Sequence, residues 1–553
     1  MPINFKLLDA LRDGRNDHDN NLIDGMVSGR INRREFLRFG SVLGMSVPFM
    51  GRVLGAAGIS AGTSSLALGQ TAGGTIRVAQ LVPTAAIEPV KLADSGGIVV
   101  LSQVAETLVL SGADLVARPL LAESWSPNKD GTVWTFKLRT DVKFHDGRPM
   151  TADDVVASIN RLADPANGSN ALSVFRGVMS KGGAKKVDDH TVEFYLDAAN
   201  GNFPYMLSTD NYNAVVLPAD YAGDFETKMI GTGPFKLESY TPKVNASFVR
   251  NDNYWGGKPV PDRVELRFYD DYQPQILALQ GGECDYIHQL PVLQSMGLQG
   301  DAAIGMVSIP STAHQLVHMR TDKAPFTDKR VRQAIALCLD RPKIVKGLMR
   351  DKAIIGNDSP FSSTYPSTDK GVPQREKNIS KAKELMAAAG AGAGFGITLT
   401  TEKYLEIPDY AVIIQNAVKE IGIKLNLNIM DQGAYYGEAV FGKSPWLDSD
   451  MGITDFGHRG VPNVFLTAPL KSDGTWNSAH FKDKDYDSLV SSYVAALDID
   501  TQRKAAGEIQ KLLLDENPTI VSYFNDFVSA AKKGASGIEL TAMGHLFLHK
   551  ATI

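Results

Sequence analysis

Residues 75–81 alternate polar and apolar side chains, a period of two that predicts an opening strand with one face toward a core. Residues 97–110 switch to the helical period, and the predicted helix carries Glu106. Trp134, Phe136 and Leu138 fall on one face of a strand that begins just after the turn pair Asp130-Gly131, so residues 122–139 read as a hairpin. Asp146-Gly147 makes the next turn. Thr151, with Asp154 three residues on, resembles a capping box that opens a helix over 155–162, and Asp164-Pro165 ends it.

Strands return at 232–240, 246–250 and 264–269, each bounded by Gly, Pro or Asn. Thr327 caps a predicted helix that runs through Cys338, with Val331, Ile335 and Cys338 or Leu339 as its apolar face. Asp340-Arg341-Pro342 restarts a helix, because proline is tolerated in a first turn. Helices over 380–389 and 411–420 are closed by Gly390 and Gly422, and the second is followed by a strand over 423–429. Such alternation predicts an α/β architecture with open sheets, and no repeat of fixed period occurs.

Length turns this pattern into a multidomain expectation: 553 residues, 43% of them hydrophobic, are too many for one compact core, so two or three domains are expected. The net charge of −5 argues against a nucleic-acid scaffold, since no domain-wide excess of Lys and Arg stands ready to displace phosphate counterions. Two cysteines, Cys284 and Cys338, exclude a disulfide scaffold and a cysteine-based zinc cage, and read as small buried hydrophobes.

The first seventy residues stand apart. Asn32-Arg33-Arg34-Glu35-Phe36-Leu37-Arg38 precedes a charge-free stretch, 39–51, that is too short and too Gly-rich to span a bilayer comfortably. This resembles a bacterial twin-arginine export signal, with Asn32 in place of the usual hydroxyl and Arg38 in place of lysine. A cleavage after Ala67-Leu68-Gly69 would leave Gln70 first, so residues 1–69 are expected to be an export address and the periplasm the destination. The other reading is an amphipathic basic helix before a flexible tail. No later segment is long and apolar enough to predict a membrane span.

Candidate chemistry is sparse. Residues 437–444 spell the phosphate-loop pattern, but residues 435–441 read as helix before Lys443, and Ser444-Pro445-Trp446 as loop after it, the reverse of a phosphate loop's context. His314 and His318 have metal-pair spacing for a helix, yet 306–319 reads as extended chain, which holds them about 13 Å apart. His545 and His549 fail alike. Asp483, Asp485 and Asp487 begin like a calcium loop, but Ser488 and Val494 occupy the glycine and glutamate positions. Gly390, Gly392, Gly394 and Gly396 follow a helix instead of a strand, unlike a dinucleotide cradle. No Gly-x-Ser-x-Gly elbow and no His-Glu-x-x-His pair occurs.

The legible stretches resemble, in order, the signature blocks of the family 5 extracellular solute-binding proteins, the peptide and nickel binding components of ABC importers. These blocks are Leu121-Ala122-Glu123-Ser124-Trp125, Trp134-Thr135-Phe136-Lys137-Leu138-Arg139, Phe144-His145-Asp146-Gly147, Thr151-Ala152-Asp153-Asp154-Val155, Gly231-Thr232-Gly233-Pro234-Phe235, Asn253-Tyr254-Trp255, Pro325-Phe326, Arg330-Val331-Arg332-Gln333-Ala334 and Ile421-Gly422-Ile423. The resemblance implies a type 2 periplasmic-binding fold: two α/β lobes, a hinge, and a subdomain inserted in the first lobe. It assigns 70–112, 226–315 and 520–553 to lobe I, 113–225 to the insert and 316–519 to lobe II, with hinge crossings near Arg320 and Pro518. It also implies a monomeric receptor, not an enzyme, needing no cofactor or metal, whose partners are a small organic solute or short peptide and the permease subunits. A secreted hydrolase-like enzyme and a chaperone-like binder on the same lobes are the alternatives.

In peptide-binding relatives, a second-lobe carboxylate shortly after a Trp-Gly step pairs with the peptide amino group. Here His458 falls in that slot and Arg459 follows, a departure from simple dipeptide recognition. Arg459 either faces the cleft, where its fork suits a carboxylate, or pairs with Asp455 or another carboxylate inside the lobe. Trp446, Tyr365 and Tyr435 are candidate cleft aromatics or core residues. Trp125, Trp134 and Trp255 are assigned to structure, and Arg332 and Asp328 to the helix that begins lobe II.

Overall fold

The computed structural model describes residues 3–59 and 73–553. The expected cleavage site at 67–69 lies outside the described residues. Among them, two larger sheets define two lobes. Lobe I orders its strands Ile304–Ile309, Phe527–Lys532, Tyr286–Ile287, Thr75–Leu81, Arg263–Tyr269, Asn245–Arg250 and Phe235–Thr241. Thr75–Leu81 pairs in parallel with both of its neighbours, and the outer pairs are antiparallel. Lobe II orders Ala353–Ile355, Thr519–Asn525, His314–Met319, Met451–Phe456, Phe395–Glu402 and Ile423–Met430.

A separate four-stranded antiparallel sheet, Ala122–Pro127, Val133–Leu138, Thr191–Tyr195 and Ala184–Asp188, forms the insert. Trp134, Phe136 and Leu138 are buried on one face of it, as the alternation requires. Helix Ala152–Ala163 covers that face, opened by the Thr151/Asp154 capping box. Val464, Ala468 and Leu497 of lobe II complete the insert's core, so insert and lobe II are packed together.

The chain crosses between lobes twice, after Ile309 and after Asn525. The expected crossings near Arg320 and Pro518 are thus displaced, and lobe II runs from His314 to Asn525 instead of 316–519. The reason is the strand Thr519–Asn525: every residue in it is buried and it pairs with His314–Met319 inside the lobe II sheet, so the return to lobe I begins only at Phe527.

The predicted helix over 97–110 is also shorter, Ser95–Val104. Ala105 turns to extended backbone, and Glu106 leaves the helix for a buried acceptor role: its carboxylate accepts from Thr232 Oγ1 (2.8 Å), Tyr254 OH (2.7 Å) and Trp255 Nε1 (2.9 Å). Burial pushes it up to about 7 against these three donors. Gly233 donates its N–H to Val104 O at 3.0 Å, and a Cβ at Gly231 would lie 2.0 Å from that same oxygen, so the glycines of this block serve a close backbone approach. His145 adds a ring contact to Gly233 O at 3.0 Å. Blocks far apart in sequence therefore meet around one carboxylate. The helix predicted from Thr327 through Cys338 is Lys329–Leu337 with Asp328 as its cap, and Arg332 fastens it to Glu516 O and Phe326 O.

Residues 3–59 fold as four helices, Phe5–Arg12, Asp17–Val27, Arg33–Val42 and Val47–Ala56, around Leu22, Ile23, Phe36, Met50 and Val53. Asn32 and Glu35 form a capping box for the third helix, and Arg33 and Arg34 stay exposed on its first turn. Among the described residues no helix is long and apolar enough to cross a membrane.

Candidate functional site

The parallel strands Phe395–Glu402 and Met451–Phe456 bring their C-terminal ends to the edge of lobe II from which both crossings leave, and the antiparallel His314–Met319 brings its first residues there. A crevice outside the carboxyl ends of sheet strands is the usual ligand position in open α/β sheets. Asp455 sits opposite Gln315 in the ladder and accepts from its Nε2 at 3.1 Å. Glu402, the last residue of its strand, is fully buried and accepts from Gln432 Nε2 (2.7 Å), Tyr436 OH (2.8 Å) and the Asp455 backbone N–H (3.3 Å). Burial, then the nearby charge of Glu402, pushes Asp455 up to about 8.

Glu406 lies one turn further on. Burial pushes it up to about 7, and its Oε1 accepts from the Val292 N–H of lobe I. Tyr272 of lobe I faces the same acidic group: burial and the charge of Glu406 raise its phenol, whose buried oxygen has no hydrogen-bond partner among the described residues. This end of the crevice therefore gathers carboxyl groups that burial pushes up, Asp455 further by the charges of Glu402 and Glu406, a setting in which an incoming cation would favour ionisation.

Past Phe456 the chain turns through Gly457 to Pro462, and this turn is tied to the first crossing by Thr312. Thr312 donates its N–H to His458 Nδ1 (3.1 Å) and its hydroxyl to Arg459 O (2.8 Å), and it accepts from the Arg459 N–H (2.9 Å). Tyr365 OH donates to Arg459 O as well, at 2.8 Å. Because Nδ1 of His458 accepts, the ring proton sits on Nε2, which lies 3.8 Å from Asp210 Oδ1 of the insert. Burial, then the charges of Arg459 and Arg38, holds His458 near 3, while burial pushes Asp210 up to about 7.

The Arg459 guanidinium donates to the His458 carbonyl at 2.8 Å and touches Met543 Sδ of lobe I at 3.6 Å. Its Nε is buried without a partner, and among the described residues no carboxylate comes within ion-pair distance of it. The pairing of Arg459 with Asp455 is therefore absent, and Asp455 is engaged by Gln315 instead. A cavity of about 370 Å³ opens between insert and lobe II beside Asn463 and Val464, directly after this turn.

Of the other sequence candidates, Tyr365 reaches the site through its hydroxyl, whereas Trp446 and Tyr435 pack within lobe II. Tyr435 donates to Ile453 O at 2.8 Å, and Trp446 lies against Tyr436 with ring centroids 5.5 Å apart. The structure adds Thr312, Gln315, Glu402, Glu406 and Asp210, none of which belongs to a motif.

The remaining motifs serve local structure. Lys443 pairs with Glu438, and Ser444 Oγ accepts from Val440 N in a loop that follows the helix Gln432–Tyr436, not a strand. His314 and His318 lie buried on one strand, bonded to Thr312 O and Ser449 O. Asp483 caps the helix Lys484–Ala495.

The sequence profile described as Bacterial extracellular solute-binding proteins, family 5 Middle, matches residues 117–478. Among relatives, the chain is 27% identical over 467 residues to Di/tripeptide-binding protein 2 of Pseudomonas aeruginosa (strain UCBPP-PA14), covering 77% of this chain and 84% of that one. It is 26% identical over 431 residues to Heme-binding protein A of Haemophilus influenzae (strain ATCC 51907 / DSM 11121 / KW20 / Rd), covering 73% and 78%. Among solved structures, the periplasmic binding protein DppA from Helicobacter pylori in complex with peptide STSA superposes with a TM-score of 0.74 at 23% identity, over 87% of this chain and 99% of that chain. With two lobes, two crossings and an inserted sheet in place, the chain belongs to the family 5 bacterial extracellular solute-binding proteins.

Proposed function

We propose that the protein is the periplasmic receptor of an ABC importer, taking a zwitterionic, peptide-sized solute between its lobes and presenting it to the permease. The observation that carries this reading is the charge layout of the crevice. Asp455 and Glu402 gather at one end, and four residues further along the same segment the Arg459 guanidinium has no carboxylate within ion-pair distance among the described residues, only the longer-range charge of Asp210. Four residues of extended chain reach at most about 14 Å, a span that the two ends of a di- or tripeptide with its side chains can bridge. The carboxylates suit an ammonium, and the arginine fork suits a carboxylate. The similarity to a di/tripeptide-binding protein supports the same size class.

The mechanism is binding without bond chemistry. Asp455, Glu402 and Arg459 belong to lobe II, while Tyr272, Asp210 and Met543 belong to lobe I and its insert, so a solute touches both sides only when the lobes close. Its differential affinity for the closed state drives closure, with the two crossings absorbing the rotation. Thr312 lies on one crossing and grips the Arg459 turn, which couples the site to the hinge. Export by the twin-arginine route fits the exposed Arg33 and Arg34 on a folded chain.

Native mass spectrometry of protein taken from its producing cells, followed by a thermal-shift panel of free di- and tripeptides, sugars and nickel chelates, tests the reading. A peptide-mass adduct and stabilisation by free peptides are expected; stabilisation by sugars or chelates alone would overturn it.

A further inference from the structure

The four N-terminal helices do not stand free of the receptor; they straddle its two moving parts. On the insert side, Trp125 donates its indole N–H to Val42 O (3.1 Å), Ala117 donates its N–H to Ser41 Oγ (2.9 Å), and Arg38, 3% exposed, donates Nε to Asp114 O. Gly44, at φ +84°, lies so close to Trp125 that a Cβ would meet its carbonyl oxygen at 2.1 Å. On the lobe II side, Ile499 is part of the N-terminal helices' own apolar core. Arg30 pairs with the neighbouring Asp500, and Glu35 lies 3.5 Å from Lys370 Nζ and 3.7 Å from Arg503 Nη2. Between these anchors, Arg38 and Phe39 line a small cavity with Tyr205 of the insert and Tyr365, Gly460 and Pro462 of lobe II. The third helix thus lies over the seam where the lobes meet, next to the Arg459 turn.

We infer that residues 5–56 act as an intramolecular clamp: while attached, they hold the insert and lobe II in the closed arrangement and oppose solute exchange. Opening the lobes must pull Val42 and Ser41 away from Trp125 and Ala117, or Ile499 and Asp500 away from their partners, because one rigid set of helices holds both. On its lobe II side the clamp holds mainly through the apolar Ile499 contact, since exposed ion pairs contribute little singly, and it adds to the packing of Val464, Ala468 and Leu497 in the insert's core. Separation of this segment from the rest of the chain then turns a closed precursor into a receptor free to open. The clamp rests on contacts outside the carboxylate and arginine groups of the crevice, so it stands whichever solute the crevice takes.

Electron-spin distance measurement on the full chain tests it, with labels at Val187→Cys in the insert, where Val187 is 56% exposed, and at exposed Lys424→Cys in lobe II. Cys284 and Cys338 are buried and stay unlabelled. The parent should give one narrow distance distribution. Two backgrounds release the clamp: Arg30→Ala with Glu35→Gln, which keeps a residue able to complete the capping box, and Ile499→Ala, which removes the apolar anchor. Circular dichroism establishes that each is folded. A second, longer-distance population in either background supports the clamp. Distributions that match the parent in both backgrounds overturn it.

Discussion

His458 Nε2 lies 3.8 Å from Asp210 Oδ1, so lobe II and the insert of lobe I face each other through a histidine and a carboxylate that are both buried. With Nδ1 accepting from Thr312 and burial holding the ring near 3, His458 is neutral at ordinary pH and carries its proton toward Asp210. Nitrogen-15 NMR of labelled histidine should find this imidazole singly protonated on Nε2 at pH 5, where an exposed histidine is charged. A doubly protonated ring at pH 5 would contradict the burial argument.

Asp455 supplies a pH dependence of stability. Its folded value, about 8, stands above the ordinary 3.8, so its contribution is complete below about pH 4 and is lost as pH rises through 8. Asp455→Asn removes that loss. In melting curves of solute-free protein, parent and variant should agree most closely at pH 4, and the variant should gain relative to the parent toward pH 8. Parallel curves across the range would show that Asp455 is not held protonated.

Glu106 accepts three side-chain donors in a buried site, and each donor left unpaired costs about 1–3 kcal/mol. Glu106→Ala should therefore lower unfolding free energy by about 3 kcal/mol or more, read from the urea midpoint, and Glu106→Gln by less. Equal midpoints for the parent and the alanine variant would remove the carboxylate from its structural role.

Thr312→Val deletes the hydroxyl that bonds both the N–H and the carbonyl of Arg459, while the backbone bond to His458 survives. A loss of about 1–3 kcal/mol is expected, with faster amide exchange at Arg459 than in the parent. Unchanged exchange there would uncouple the crossing from the site turn.

Local elements were legible where one period ran uninterrupted. Strand Thr75–Leu81, the hairpin around Asp130-Gly131 and the Thr151 helix match their patterns, because side-chain alternation and capping act within a few residues. The helix predicted over 97–110 ends at Val104 instead, and nothing local announces that Glu106 serves donors from Thr232, Tyr254 and Trp255, 126 to 149 residues away. The crossings differ from those expected for a related reason: Thr519–Asn525 and Phe527–Lys532 follow each other closely, and only their pairing assigns them to different lobes. In the site, Arg459, His458 and Asp455 drew notice through the family pattern. Glu402, Glu406 and Thr312 did not, since their roles exist only once strand ends from separate segments share an edge.

The central claim, a crevice that reads both ends of a zwitterion, is tested most directly by calorimetric titration with trialanine, its N-acetyl derivative and its C-terminal amide. Free trialanine should bind, and each blocked form should bind at least tenfold more weakly, about 1.4 kcal/mol. In Arg459→Ala the penalty for the amide should vanish while that for the acetyl form persists, and Asp455→Asn should show the reverse. Equal affinity for all three peptides in the parent, or penalties untouched by both substitutions, would contradict the account.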